Sequence, residues 1–357
     1  MQYTNDKFES DIDLLSMTTE EIKTFLSKIG QAPYRAKQIF TELHRGVPLS
    51  EITTLSKDLR KKLADMTVDR LPKVEKKQTS AADGTVKYLF RLYDGQFIES
   101  VFMKYQHGNT LCISSQVGCR MGCKFCASTL GGKVRDLYPS EMLGQIISAQ
   151  KDTGERISNV VMMGIGEPLD NYDNVIKFLS LVNDESGLNI GMRHISLSTC
   201  GIVPNILRLA QENIPLTLSI SLHASNDEMR SSLMPVNKKY PIHELMSACH
   251  TYFKKTGRRI SFEYTLISGE NDNKKTANEL ADLMRRYFGS SGEPIHINLI
   301  LVNPVKERGY SRPDTSRAEE FKKTLIFRGI NATIRRRLGA DIDAACGQLR
   351  RSHETEE

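Results

Sequence analysis

From about residue 110 the sequence alternates short apolar runs with stretches of helical periodicity, and this rhythm constrains the fold more than any other feature. The runs are "LCISS" (111–115), "NVVMMG" (159–164), "HISLST" (194–199), "LTLSISLHA" (216–224), "ISFEYTLI" (260–267) and "HINLILVN" (296–303). Strands alternating with helices pair in parallel and are joined by right-handed crossovers. Six such units are too few for an eight-unit barrel. The expectation is therefore α/β, a partial (β/α)6 barrel of the TIM type, with a last strand in "NATIRRR" (331–337). In such a barrel chemistry gathers at the C-terminal ends of the strands.

The segment before the barrel reads differently. In "SMTTEEIKTFLSKIG" Thr18 stands three residues before Glu21, a capping-box pattern, and Ile22, Phe25, Leu26 and Ile29 then share one face up to Gly30. "APYRAKQIFTELHRG" repeats the design with Ala36, Ile39, Phe40 and Leu43, and "SKDLRKKLADM" reads as a third, basic helix. Arg35, Lys37, Arg60, Lys61 and Lys62 lie on polar faces, as they would in an RNA-docking module or a plain helical cap. Two apolar runs around Asp94-Gly95, within 86–105, predict a β-hairpin. The expected organisation is a helical N-terminal domain over 1–70, a linker and hairpin over 71–104, the barrel core over 105–338 and a tail over 339–357 folding back over the barrel mouth.

Composition narrows the class. With 39% apolar and 26% charged residues the chain reads as an ordinary globular protein. The polar, acidic start "MQYTNDKFESDID" is no signal peptide, and no apolar run approaches a membrane span. Seven cysteines without a leader point to the reducing cytoplasm and to a metal or catalytic role. The net charge of +6 suits an acidic partner such as RNA and equally a solvated surface.

Three of those cysteines, Cys119, Cys123 and Cys126, fall within "GCRMGCKFCAS", just after the first barrel strand. Zinc, an iron–sulfur cluster, or a disulfide with one thiol left over are the chemical options. Structural zinc commonly asks for four ligands. A cubane cluster normally takes four thiolates, so three leave one iron open to a small molecule. C-x3-C-x2-C with Phe125 before the last cysteine resembles the signature of the radical S-adenosylmethionine (SAM) superfamily. That resemblance implies a [4Fe-4S] cluster on Cys119, Cys123 and Cys126, its open iron chelated by SAM. "MMGIGEPLDN" resembles the superfamily's "GGEP" element, in which Gly166 and Glu167 would meet the SAM amino group. Ser198, Ser221, Leu222, His223 and Asn303, all at predicted strand tips, are the further candidate SAM contacts.

"TLCISSQVGCRMGCKFCAS", "MGIGEPLDNYDNV", "ISLSTCGIVP", "SLHAS", "LMPVN" and "IDAACGQL" together resemble the dual-specificity RNA adenine-C2 methyltransferases of the RlmN family, over nearly the whole chain. The resemblance implies two SAM per turnover. One methylates Cys346, and the second yields a 5′-deoxyadenosyl radical that takes hydrogen from the S-methyl group. The resulting carbon adds to adenine, Glu99 removes the C2 proton, and Cys112 forms a disulfide with Cys346 to release the RNA. Implied substrates are adenosine 2503 of 23S rRNA and adenosine 37 of tRNA. The implied partner is an electron donor such as flavodoxin, with the chain acting as a monomer away from membranes. The rival readings are the Cfr-like sister family, which methylates C8 of the same rRNA adenosine, and a non-catalytic iron–sulfur or zinc RNA-binding protein. Cys200 and Cys249 carry no motif and read as buried thiols.

Overall fold

A computed structural model describes residues 12–289, 295–303, 308–342 and 349 of the chain. The chain opens with three helices, α1 (Thr19–Lys28), α2 (Arg35–His44) and α3 (Lys57–Met66). The capping box forms as the spacing predicts: Thr18 N–H donates to Glu21 Oε2 at 2.6 Å, and Glu21 N–H donates back to Thr18 Oγ1 at 3.3 Å. Ile22, Leu26, Ile39 and Phe40 are fully buried, so the apolar stripes face one another.

Strands β1 (Lys73–Thr79), β2 (Val86–Arg91), β3 (Phe97–Met103) and β4 (Thr110–Cys112) follow, each antiparallel to the last. A separate two-stranded ribbon, β5 (Gln116–Gly118) with β6 (Lys133–Asp136), brackets the cysteine triplet. Beyond it come α4 (Pro139–Thr153), β7 (Asn159–Met162), α5 (Tyr172–Val182), β8 (Ile195–Thr199), α6 (Val203–Leu209) and β9 (Thr217–Ser221). The rest is α7 (Asp227–Leu233), α8 (Ile242–Thr256), β10 (Ile260–Leu266), α9 (Lys274–Phe288), β11 (Ile295–Leu301), α10 (Thr315–Phe327) and β12 (Ala332–Ile334).

One sheet runs β1-β2-β3-β4-β7-β8-β9-β10-β11-β12. It is parallel from β4 onward, which is the expected partial barrel. The hairpin is continuous with that barrel, because β3 pairs with β4. Leu218 and Ile220 of β9, Phe262 and Tyr264 of β10, and Ile297 and Leu299 of β11 are fully buried.

Three strands escape a sequence reading. β1, "KVEKKQT", lies where a linker is expected; it carries almost no apolar side chains and is held through its backbone pairing with β2. β5 and β6, at three and four residues, are too short to show a period. Of the tail, residues 339–342 and 349 are described, so the expected fold-back over the barrel mouth falls largely outside the described residues.

Candidate active site

The ribbon of β5 and β6 fixes the ends of the cysteine loop. Gly118 sits at φ +74°, and a Cβ there would lie 2.0 Å from the Gly132 carbonyl oxygen. Only glycine takes that conformation at that approach. Cys119 N–H then donates to Gly132 O at 2.8 Å, and Lys124 N–H donates to Leu233 O at 2.9 Å. Thr129 Oγ1 lies 3.1 Å from Cys123 O and 3.0 Å from Cys126 O, tying two cysteines of the triplet through one hydroxyl. Arg308 Nη2 donates to the same oxygen at 3.0 Å.

All three cysteines line a cavity of about 280 Å³ at the C-terminal ends of the parallel strands. Burial pushes the Cys119 thiol up to about 12 and raises Cys123 as well. Such thiols become ligands only when a cation compensates the thiolate charge. Phe125 meets His223 edge-on, with ring centroids 4.9 Å apart, closing the gap between loop and barrel.

Strand tips supply the opposite wall. Gly166, Glu167, Ser198, Ser221, His223 and Asn303 all line the cavity. The Glu167 carboxylate accepts N–H bonds from Leu169 at 3.1 Å and Cys200 at 2.7 Å, tying the β7 tip to the β8 tip. Burial raises its pKa, and those N–H donors pull the other way. His223 is in the left-handed region at φ +57°, and its Nδ1 accepts the Thr265 N–H at 2.9 Å. That bond leaves the proton on Nε2. Burial, then the charge of Arg230, lowers the His223 pKa to about 3, so the ring is neutral. On β10, Glu263 also lines the cavity, accepting from Asn298 Nδ2 at 2.7 Å and Ser261 Oγ at 2.9 Å.

Other expected site residues stand apart. The Leu222 side chain is fully buried in the core, so this position offers the cavity wall no side chain; its N–H donates to Glu263 O at 3.1 Å. Cys112 ends β4 among Val101, Met103, Val161, Met163 and Leu338. Met163 also lines the cavity, so the two places share that side chain. Glu99, the residue expected to act as base, is not among the cavity-lining residues. It is buried, with Lys87 Nζ 2.7 Å from its Oε2. Cys346 lies outside the described residues. Sequence reasoning missed Thr129, Thr199, Thr265, Glu263 and Arg335 as cavity residues, and Cys200 lines it too. Period-2 alternation along the strands could have found Glu263 and Thr265, which share a face. Nothing local marks Thr129.

No three His, Cys, Asp or Glu side chains among the described residues stand close enough to hold a single metal ion. The donor set nevertheless fits a larger group: three thiols on one wall, no fourth cysteine in the loop, and polar strand tips facing them. Cys119, Cys123 and Cys126 are the residues that could hold an iron–sulfur cluster, and the strand tips those that could hold its small-molecule ligand.

The molecule's similarities divide along the same line. Residues 113–281 match the radical SAM superfamily, and residues 12–68 match the family described as "Ribosomal RNA large subunit methyltransferase N-terminal domain". A crystal structure of a radical SAM methyltransferase from Sphaerobacter thermophilus superposes with a TM-score of 0.89 at 42% identity, covering 94% of this chain and 98% of that one. The fold is that of a radical SAM enzyme. The chain is 56% identical over 343 residues to "Probable dual-specificity RNA methyltransferase RlmN" of Alkaliphilus oremlandii (96% of this chain, 98% of the relative). It is 51% identical to the protein of the same name from Clostridium novyi, over 96% of this chain and 98% of the relative. It belongs to the RlmN family of dual-specificity RNA methyltransferases.

Proposed function

We propose that this enzyme methylates C2 of adenosine in RNA, at adenosine 2503 of 23S rRNA and adenosine 37 of tRNA. The observation that carries the reading is the facing of the cysteine triplet and the polar strand tips across one cavity. Carbon 2 of adenine is electron-poor and carries no lone pair, so polar methyl transfer fails there. A cluster held by Cys119, Cys123 and Cys126, with two SAM per turnover, would supply hydrogen-atom abstraction instead.

The chain's own residues do the rest. Cys346 carries the methyl group on its sulfur and becomes covalently attached to the RNA through that carbon. Glu99 takes the C2 proton. Cys112 then attacks the Cys346 sulfur: the S–S bond forms as the bond from that sulfur to the methylene carbon breaks, and the carbon keeps the electron pair and takes up a proton to become the product's methyl group. The burial of Cys112 beside Met163, itself a cavity residue, supports a thiol kept from solvent until the partner sulfur arrives. Glu167, Ser198, Ser221, His223 and Asn303 orient SAM, and the neutral His223 ring offers Nε2–H as a donor. The helical domain docks RNA, with Arg35, Lys37, Arg60, Lys61 and Lys62 reaching phosphates.

No helix among the described residues is long and apolar enough to cross a membrane. We place the enzyme in the cytoplasm as a monomer, reduced by a flavodoxin-type donor.

The test is anaerobic turnover of cluster-loaded enzyme with SAM, reductant and unmodified 23S rRNA and tRNA fragments, followed by nucleoside mass spectrometry. 2-Methyladenosine in both RNAs is expected. 8-Methyladenosine would overturn the regiochemistry, and 5′-deoxyadenosine without methylated RNA would overturn the substrate.

A further inference from the structure

Arg230, on α7, is the largest side chain fully buried in the described structure. Its guanidinium sits under the cavity wall. Nη2 donates to Cys200 O at 2.6 Å and Ser221 O at 3.2 Å, Nε to Leu222 O at 3.2 Å, and Nη1 to Asn237 Oδ1 at 2.9 Å. Every acceptor is a neutral oxygen, and Arg230 makes no salt bridge among the described residues. Asp227, on the same helix, is exposed, and its carboxylate bonds the Asn237 amide instead (2.9 Å). A cation buried in this way is costly unless an anion shares its low-dielectric surroundings.

The same element touches the cysteine loop. Leu233 O, at the end of α7, accepts the Lys124 N–H at 2.9 Å. Leu233 and Met234 pack with Cys123 and Cys200 in one small apolar cluster. Pro235 faces Gly122, where an added Cβ would lie 3.5 Å from its Cγ. The "LMPVN" motif thus braces the loop with its first three residues and holds Arg230 with its last, Asn237.

We infer that Arg230 is the fixed counter-charge of the iron–sulfur cluster and sets the cluster's reduction potential. The inference rests on the reading that Cys119, Cys123 and Cys126 hold that cluster. Three thiolates around it make the assembly net negative, and one charge more negative when reduced. A buried positive charge behind Cys123 therefore favours the reduced form, the one needed to pass on an electron. Water screens this interaction little, since Arg230 is fully buried. Arg230 is a positioning residue: it touches strand-tip carbonyls, not the reacting atoms.

The test compares wild type, Arg230→Lys and Arg230→Gln as full-length chains, each loaded anaerobically with iron and sulfide. The readouts are iron per chain and the cluster midpoint from a redox titration followed by electron paramagnetic resonance, without RNA. Lys keeps the charge and loses the fork, so its midpoint stays near wild type although its melting temperature falls. Gln loses the charge, so its midpoint shifts to lower potential, or it retains less iron than the Lys variant. A Gln midpoint equal to wild type overturns the inference, as does a Lys midpoint lowered as far as Gln's. A Gln chain that does not fold, where metal-free wild type and Lys do, overturns it too, because the guanidinium would then serve the fold without a cluster. A wild type that binds no cluster would instead overturn the reading of the cysteines.

Discussion

Lys87 and Glu99 form an ion pair inside the sheet, Nζ to Oε2 at 2.7 Å, with neither side chain more than marginally exposed. They lie on adjacent antiparallel strands: Lys87 pairs with Val101, and Glu99 is the diagonal neighbour on the same face. Removing one partner of a buried pair strands the other charge. Lys87→Met should cost about 3–5 kcal/mol of stability. The double variant Lys87→Met with Glu99→Gln should recover part of that loss, because the stranded charge is gone. Urea unfolding of the metal-free chains measures both, and equal losses in single and double variants would contradict the coupling.

The same pair makes Glu99→Gln the informative change for chemistry. The variant should still carry a methyl group on Cys346, seen by peptide mass. It should release at least 100-fold less methylated RNA than wild type, since one positioned base is worth about 10²–10⁴ in rate. RNA trapped on the protein in a denaturing gel would be the accompanying sign. Ordinary turnover by Glu99→Gln would remove Glu99 from the role of base.

His223 ties acid stability to the cavity wall. Its pKa in the fold is held at about 3, chiefly by burial, against an ordinary value of 6.5. Above pH 6.5 both folded and unfolded rings are neutral, and the contribution of His223 to stability is constant. As pH falls below that, the unfolded chain takes up a proton the folded chain refuses, so stability is lost. By pH 5 the loss should reach about 2 kcal/mol. His223→Asn tolerates the left-handed backbone and keeps an acceptor for Thr265 N–H, and it should lack this component. Unfolding wild type and variant at pH 7.5 and 5 isolates the difference; identical pH dependence would sink the assignment.

Gly118 and Gly132 face each other across the ribbon, and both have positive φ. Only Gly118 is also crowded, with a Cβ position 2.0 Å from Gly132 O, whereas nothing lies within 4 Å of a Cβ at Gly132. Gly132→Ala should cost about 1 kcal/mol, the ordinary penalty of a left-handed alanine. Gly118→Ala should cost more than about 3 kcal/mol and lower iron bound per chain, because the clash adds to the backbone strain. Melting curves and iron analysis of the two variants check this ordering.

Elements with a dense local signal were legible in the sequence. Thr18 and Glu21 announce the first helix because both halves of the capping box lie within one turn. The Asp94-Gly95 hairpin and the barrel rhythm are equally local. β1 and the β5–β6 ribbon carry few apolar side chains or are very short, and their side-chain contacts, such as Glu75 with Arg91 and Gln116 with Asp136, reach to other strands, so they leave no local pattern to read. Period could not tell that Leu222 turns into the core at the edge of a polar tip, or that Glu99 is buried, because each depends on the neighbouring strand.

By itself, then, the sequence determined the (β/α)6 frame, the three-thiol loop at the end of its first strand and the family motifs along its rim. These depend on spacing within a few residues. Only the tertiary structure decided which polar groups share a cavity and which charges share an interior. Lys87 meets Glu99 from another strand, and Arg230 gathers carbonyls from two strand ends and an amide from the next turn. Such meetings are set by sheet register and by the low dielectric of the core, which exist only once distant segments have packed.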